Sequence, residues 1–207
     1  MLSSIQFFKP EEEDRIPNRA GVYAFLYNPF ERSRLGLYVG DSYSEGRLLE
    51  ARIALKAKLS RLDKLRSDLI LSGDISVKGT YSGDVKVFSG SIPRSQSLEL
   101  WSDIDSIEDN EFIEYLEMAE KTCLILPPLY CGMTVRQGLK ERYLQHKQNY
   151  HSAREGTFGG RLSASNLSWA DIRLLCIPIT TPSETESSVR MLERHLIYLL
   201  GPILSVK

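Results

Sequence analysis

Hydrophobic positions follow two different rhythms along this chain. Near the start, Gly21 to Tyr27 (GVYAFLY) is an aromatic and apolar run that ends at Asn28-Pro29. A short apolar run closed by a turn dipeptide predicts a strand. A second short strand is expected from Leu35 to Gly40. Then the period lengthens. Leu48, Leu55, Leu62 and Leu69 recur at heptad spacing, with Leu59 and Leu65 beside them, and predict a long helix from Gly46 to Asp68. Between residues 73 and 93, Gly73, Gly79, Gly83 and Gly90 punctuate an alternation of Ile75, Val77, Val85 and Val87, the pattern of a β-hairpin or small meander.

The second half repeats the alternation of element types. An acidic helix is expected from Ser106 to Lys121, with Phe112, Ile113, Leu116 and Ala119 at helical spacing. Asp103, Asp105 and Asp109 read as helix-start charges. Leu124 to Thr134 carries strand residues interrupted by Pro127-Pro128, and Gln137 to Tyr150 reads as a helix. Residues 152–168 are rich in Gly and Ser and read as a loop. Ile172 to Ile179 is a strand of the buried type. Ser183 to Glu186 fits a capping box, opening a final helix that stops at Gly201-Pro202. Short antiparallel strand candidates mixed with helices predict an α+β fold.

Composition narrows the class. The 207 residues are 42% hydrophobic and 26% charged, as in a globular protein. The apolar runs fall far short of the roughly 20 residues that span a bilayer, and the start lacks the basic region and apolar core of a secretory signal. A cytoplasmic protein, or one elsewhere inside the cell such as the nucleoid or nucleus, is expected, with no membrane partner. Cys123, Cys131 and Cys176 have no metal-ligand spacing and read as buried free thiols of a reducing compartment.

A net charge of −1 argues against coating nucleic acid through bulk charge, yet the charge is unevenly placed. Residues 130–207 hold 10 Lys and Arg against 6 Asp and Glu. The long helix is also basic, with Arg47, Arg52, Lys56, Lys58, Arg61, Lys64 and Arg66 against Glu50 and Asp63 between 47 and 66. Two readings of that stripe stand side by side. It is a solvated face on a helix packed by its leucines, or it is a phosphate-contacting helix with Arg52, Lys56 and Arg66 as candidate contacts.

Polar residues of chemical interest cluster in order rather than in one motif. Gly21-Val22-Tyr23 and Tyr130-Cys131-Gly132 each set a Tyr beside a Gly on a strand. The second is followed by Arg142 and His146, four apart and so on one face of a helix. Glu193 lies at the edge of an apolar stripe in the final helix, where a buried carboxylate needs a cation or a donor.

On these residues the chain resembles the GIY-YIG nuclease superfamily. The likeness rests on Gly21-Val22-Tyr23, on Tyr130-Cys131-Gly132 with Arg142 and His146, and on Glu193 with the ending to Leu204. It covers residues 18–27 and about 128–205. The resemblance implies a small sheet of three antiparallel strands flanked by helices, and a metal-dependent endonuclease hydrolysing phosphodiester bonds of DNA. Mg²⁺, or another divalent cation such as Mn²⁺, would be the cofactor, with no small-molecule cofactor besides. Tyr23 and Tyr130 would lie near the scissile phosphate, Arg142 would neutralise its oxygens, His146 would hydrogen-bond a tyrosine or the phosphate, and Glu193 would hold the metal. Ser205 stands where the family commonly has Asn, as a nucleic-acid contact.

The chain departs from the family pattern in one large respect. Tyr23 and Tyr130 are 107 positions apart, so one domain over residues 1–207 must loop out an insertion at 41–127 made of the basic helix, the hairpin and the acidic helix. The insertion is expected to supply target contacts or a homodimer interface. Leu37-Tyr38-Val39-Gly40 competes for the second tyrosine motif, and Tyr130 is preferred because only it is followed closely by Arg142 and His146. The alternative function is a catalytically weak or inactive nucleic-acid-binding module on the same fold.

Overall fold

The segment Gly21–Tyr27 carries no charge because both of its edges and both of its faces are covered. In the computed structural model, which describes residues 4–38, 42–67, 103–179 and 186–204, it forms strand β2, and all seven of its residues are buried. A strand enclosed on both faces reads as a continuous apolar run rather than an alternation. With β1 (Gln6–Phe8), β3 (Tyr130–Thr134) and β4 (Ile172–Pro178) it makes a four-stranded antiparallel sheet in the order β1-β4-β2-β3. The resemblance predicts three strands. The fourth is β1, whose three residues pair with β4 and are too few to show a period.

Helices α1 (Glu45–Ser67), α2 (Asp109–Thr122), α3 (Leu139–His151), α4 (Phe158–Ala164) and α5 (Glu186–Leu200) flank the sheet, giving an α+β fold. No helix among the described residues is long and apolar enough to cross a membrane. The period of two in β2 puts Tyr23, Phe25 and Tyr27 on one face, where they join Tyr143 of α3, Phe158 of α4 and Trp169 in the main core. Phe25 is completely buried at its centre. Its ring stacks on Phe158 at 4.7 Å and meets Tyr23 edge-on at 5.7 Å.

The heptad leucines of α1 do what their spacing predicts. Leu48, Ala51, Leu55 and Leu59 pack with Phe112 and Leu116 of α2 and with Leu35 and Leu37 into a second core. One turn further on, Leu62 enters the main core, so α1 spans both. Lys58 adds an ion pair to the buried Asp171 at 2.6 Å.

Three expectations are corrected or lie out of reach. Of the strand expected from Leu35 to Gly40, the described residues, 35–38, do not form one. Arg32–Leu35 is a 3-10 turn, and Gly36 follows with a φ of 79°, a left-handed conformation that breaks an extended run. Residues 152–168 are not all loop, because Thr157 caps α4 by accepting the Gly160 amide at 3.1 Å. The two glycines of α4 serve contact rather than flexibility. A Cβ on Gly159 would lie 2.3 Å from the His146 carbonyl oxygen, and one on Gly160 would lie 1.9 Å from that of Arg154. The hairpin expected at 73–93 and the capping box at 183–186 lie outside the described residues, apart from the first helical residue, Glu186.

Phe25 is the residue on which the main core depends most. Phe25→Ala is expected to cost about 3–5 kcal/mol, the range for a fully buried aromatic whose cavity cannot collapse. Urea unfolding of the variant beside the parent measures it, and a loss below about 1 kcal/mol would show that the stacked rings carry little of the stability.

Candidate active site

Helix α3 is aimed before any of its functional side chains is considered. Its first amides, Leu139 N–H and Lys140 N–H, donate to the carbonyls of Arg19 and Pro17 just ahead of β2, at 2.8 and 3.2 Å. Gly138, the cap residue, lies so close to Asn18 that a Cβ would sit 1.8 Å from its side-chain oxygen. The helix therefore starts against the head of β2 and runs across the sheet. Its inward face, at spacings of three and four, is Leu139, Arg142, Tyr143 and His146.

The antiparallel register of β2 and β3 sets Tyr23 opposite Gly132, and Phe25 opposite Tyr130. The Tyr23 ring crosses over the glycine. A Cβ there would lie 2.7 Å from the Tyr23 hydroxyl oxygen. The hydroxyl is thereby carried to His146 Nε2 at 2.9 Å, and it accepts a hydrogen bond from Arg142 Nε at 3.2 Å. The Tyr130 ring lies 6.2 Å from that of Tyr23, stacked on Phe158 at 4.9 Å. The Tyr130 hydroxyl acts electrostatically on both Tyr23 and Arg142. Gln145 accepts from Arg142 Nη1 at 2.5 Å and fixes the guanidinium from its other side.

Glu193 arrives from α5, which packs on β3. The Met133 amide and the Arg142 charge both act on its carboxylate. Burial dominates all the same and raises the Glu193 pKa above the ordinary carboxylate value, with the Met133 amide and then Arg190, Arg142 and Arg194 opposing. The same carboxylate, after burial, helps to push the Cys131 thiol up to about 11, which keeps that thiol protonated and inert. Tyr23, Tyr130, Arg142 and His146 thus meet from β2, β3 and α3, and Glu193 of α5 stands within reach of the Arg142 charge.

Electrostatics divides the cluster into fixed parts. Burial lifts the Tyr23 phenol well above its ordinary value, the Tyr130 hydroxyl adds to this, and Arg142 opposes it. Tyr23 is therefore a neutral hydrogen-bonding group. Burial, then the charges of Arg142 and Arg161, depress His146 to about 3, so its ring is neutral at physiological pH. His146 Nδ1 is buried with no hydrogen-bond partner among the described residues. We assign the tautomer with the proton on Nε2, donating to the Tyr23 oxygen. The other tautomer would bury an unpaired N–H, which proteins avoid more strictly than a bare acceptor. Burial weighs against the Arg142 charge, but the facing tyrosine hydroxyls outweigh it and raise its pKa.

The other candidates fare differently. Tyr38 is 58% exposed and its carbonyl accepts the Tyr43 hydroxyl, so Tyr130 alone occupies the place beside Tyr23. Arg52 is not on an outward face of α1. It is 6% exposed, lies over the Phe112 ring, and donates to Ile104 O, Ile107 O and Asp109. Leu48, Leu55 and Leu59 pull this side of the helix inward and Arg52 goes with them. Lys56 is half-exposed and paired with Asp105 at 2.5 Å. Ser205 and the Arg66 side chain lie outside the described residues. Among the described residues no three His, Cys, Asp or Glu side chains form a metal-holding group, so a cation would rely on Glu193 as its protein anion.

Sequence reasoning missed Phe158 and Arg161. The Phe158 ring lies between Phe25 and Tyr130, and the Arg161 charge acts on both Tyr130 and His146. The signal was a cap residue, Thr157, followed by Phe158 and Leu162 at helical spacing, hidden under a glycine-rich composition.

His146 makes acid stability testable. Its folded-state value lies below its unfolded value of about 6.5, so below that pH the unfolded chain takes up a proton that the folded ring refuses. Its contribution should therefore fall by up to about 1.4 kcal/mol per pH unit as the pH drops from about 6.5 toward 3. Urea unfolding of the parent and of His146→Asn at pH 7, 6 and 5 measures this, because the difference between them must shrink with falling pH. A constant difference would show that the folded ring protonates normally. No model of a known protein family matches the chain, and no curated protein or solved structure is matched by it.

Proposed function

We propose that this protein is a metal-dependent endonuclease that hydrolyses phosphodiester bonds of DNA by chemistry of the GIY-YIG type. One observation carries the reading. A neutral tyrosine, a second tyrosine, a fixed guanidinium, a neutral imidazole and a partly buried carboxylate meet within one hydrogen-bonded and electrostatic cluster. A structural polar cluster needs no carboxylate held at raised pKa near an arginine that already has other partners. A phosphodiester with a divalent cation needs each part.

The residues present fit a hard cation. The Glu193 carboxylate is incompletely compensated, as its raised pKa reports, and it would hold the metal by one anionic group, with water and phosphate completing the sphere as suits Mg²⁺. When bound, such a cation supplies Lewis-acid stabilisation of charge on the phosphoryl oxygens. The rest belongs to the chain. Arg142, held by Tyr23 and Gln145, offers a guanidinium whose orientation needs no rearrangement when negative charge develops. Tyr23 stays a phenol and passes orientation, not a proton, from His146 to Arg142. Tyr130, less buried than Tyr23, is the hydroxyl placed to meet the phosphate. Together these groups favour the transition state over the bound substrate.

The experiment is cleavage of supercoiled plasmid by the purified chain with Mg²⁺ and with a chelator. Nicking or linearisation that the chelator abolishes is expected. Glu193→Gln, which keeps the shape and removes the charge, is expected to lose at least a hundredfold in rate while retaining DNA binding. Cutting by that variant within tenfold of the parent would remove Glu193 from the mechanism. DNA binding with no cleavage by the parent would instead favour the weakly catalytic or inactive binding module.

A further inference from the structure

Helix α5 is apolar on two faces. The inner one carries Glu193, Leu196 and Ile197, all half-buried, and turns toward β3, where the Met133 amide acts on Glu193 and Glu193 acts on Cys131. The outer one carries Met191, Leu192, Tyr198 and Leu199, which are 58%, 47%, 87% and 73% exposed. At 3.6 residues per turn these four fall with His195 on a single stripe. Apolar residues scattered singly over a surface need no explanation, whereas an exposed stripe of them marks a contact surface. We infer that this stripe pairs with the same stripe of a second copy of the chain, antiparallel across a two-fold axis at His195.

The spacing identifies the partner. Met191 and Leu192 lie four and three positions before His195, and Tyr198 and Leu199 lie three and four positions after it. The pattern is the same read from either end. Two identical helices that cross antiparallel at residue 195 set each residue opposite the one equally far beyond the axis. Met191 of one copy then meets Leu199 of the other, and Leu192 meets Tyr198. Each contact occurs twice, as an isologous interface requires. His195 is itself exposed and meets its counterpart on the axis. A neutral imidazole offers one donor and one acceptor nitrogen, so two of them satisfy each other. A lipid surface would leave that polar group without such a partner among apolar neighbours.

The area is sufficient for a reversible pair. At these exposures the four apolar side chains present roughly 500 Å² per copy, so a pair buries roughly 1,000 Å², about what a specific interface must reach. An interface of that size sets association in the micromolar range, because lost translational and rotational freedom offsets most of the gain. The stripe lies outside residues 41–127, where the sequence leads one to expect a homodimer interface. The inference does not depend on the nuclease reading. Glu193 stays on the face turned to β3 of its own copy, and none of the five stripe residues belongs to the catalytic cluster.

Sedimentation velocity of the full chain over a micromolar concentration series tests the pairing. The parent is expected to pass from monomer to dimer as concentration rises. Leu192→Lys and Tyr198→Glu, each alone, bury an unpaired charge and should weaken association by about tenfold or more. The double variant Leu192→Lys with Tyr198→Glu should regain most of that loss, because each new cation faces the new anion of the other copy. The two positions are six apart on one helix and do not pair within it. Circular dichroism of the variants checks that the exposed substitutions leave the fold intact. A parent that stays monomeric throughout overturns the inference, and one that instead co-sediments with anionic phospholipid vesicles assigns the stripe to a membrane surface. Single variants that associate like the parent, or a double variant that recovers nothing, overturn the antiparallel pairing at His195. The plasmid assay decides the nuclease reading separately, whatever the oligomeric state.

Discussion

Everything in the cluster depends on a missing Cβ. At Gly132 the two central strands hold a site where the Tyr23 ring lies across the neighbouring backbone, and any larger residue would strike its hydroxyl. With that space empty, the hydroxyl reaches His146 and Arg142 at once. Substitution there would not simply loosen a core. It would move the hydroxyl that links β2 to Arg142 and His146 of α3. The glycine at 132 is a contact requirement, since φ there is not in the left-handed region.

The same tie explains the protonation states. A phenol and an imidazole buried side by side under an arginine are both driven neutral, the phenol by a raised pKa and the imidazole by a lowered one. Burial is the first cause in each case, and it acts oppositely because the charged form is an anion for one and a cation for the other. Arg142 keeps its charge in the same surroundings because a guanidinium cannot be deprotonated at accessible pH. The result is one permanent cation held by two neutral groups. Glu193 is the sole carboxylate that approaches this group among the five candidate residues, and its burial leaves it short of compensation.

Legibility followed physical range. The α+β class, the heptad face of α1 and the buried character of β2 and β4 were written in local periodicity, which single residues express directly. The candidate residues were chosen by their order along the chain, and Tyr130 was preferred to Tyr38 because Arg142 and His146 follow it closely. That choice depends on which strand pairs with β2, a contact across 107 positions. Arg52 was misplaced for a related reason. Charge composition identifies a basic helix, but only the direction of its leucines decides which cations face water, and Arg52 lies one position beyond Ala51 on the buried side. Thr157 to Ala164 was lost to composition, because glycines demanded by close helix packing look like glycines of a loop.

Helix α1 enters both cores. A segment that only decorated the domain would pack its leucines within itself and touch the rest through its ends. Here Leu62 continues the heptad into the main core, and Lys58 pairs with Asp171 beside the start of β4. Both contacts hold the second half of α1 at a fixed angle to the sheet. The leucines that hold α1 down therefore also fix where Arg61 and Lys64 stand relative to Arg161. The packing of α1 and the placement of its basic residues are two consequences of one heptad, so loss of Leu62 should shift Arg61 relative to Arg161.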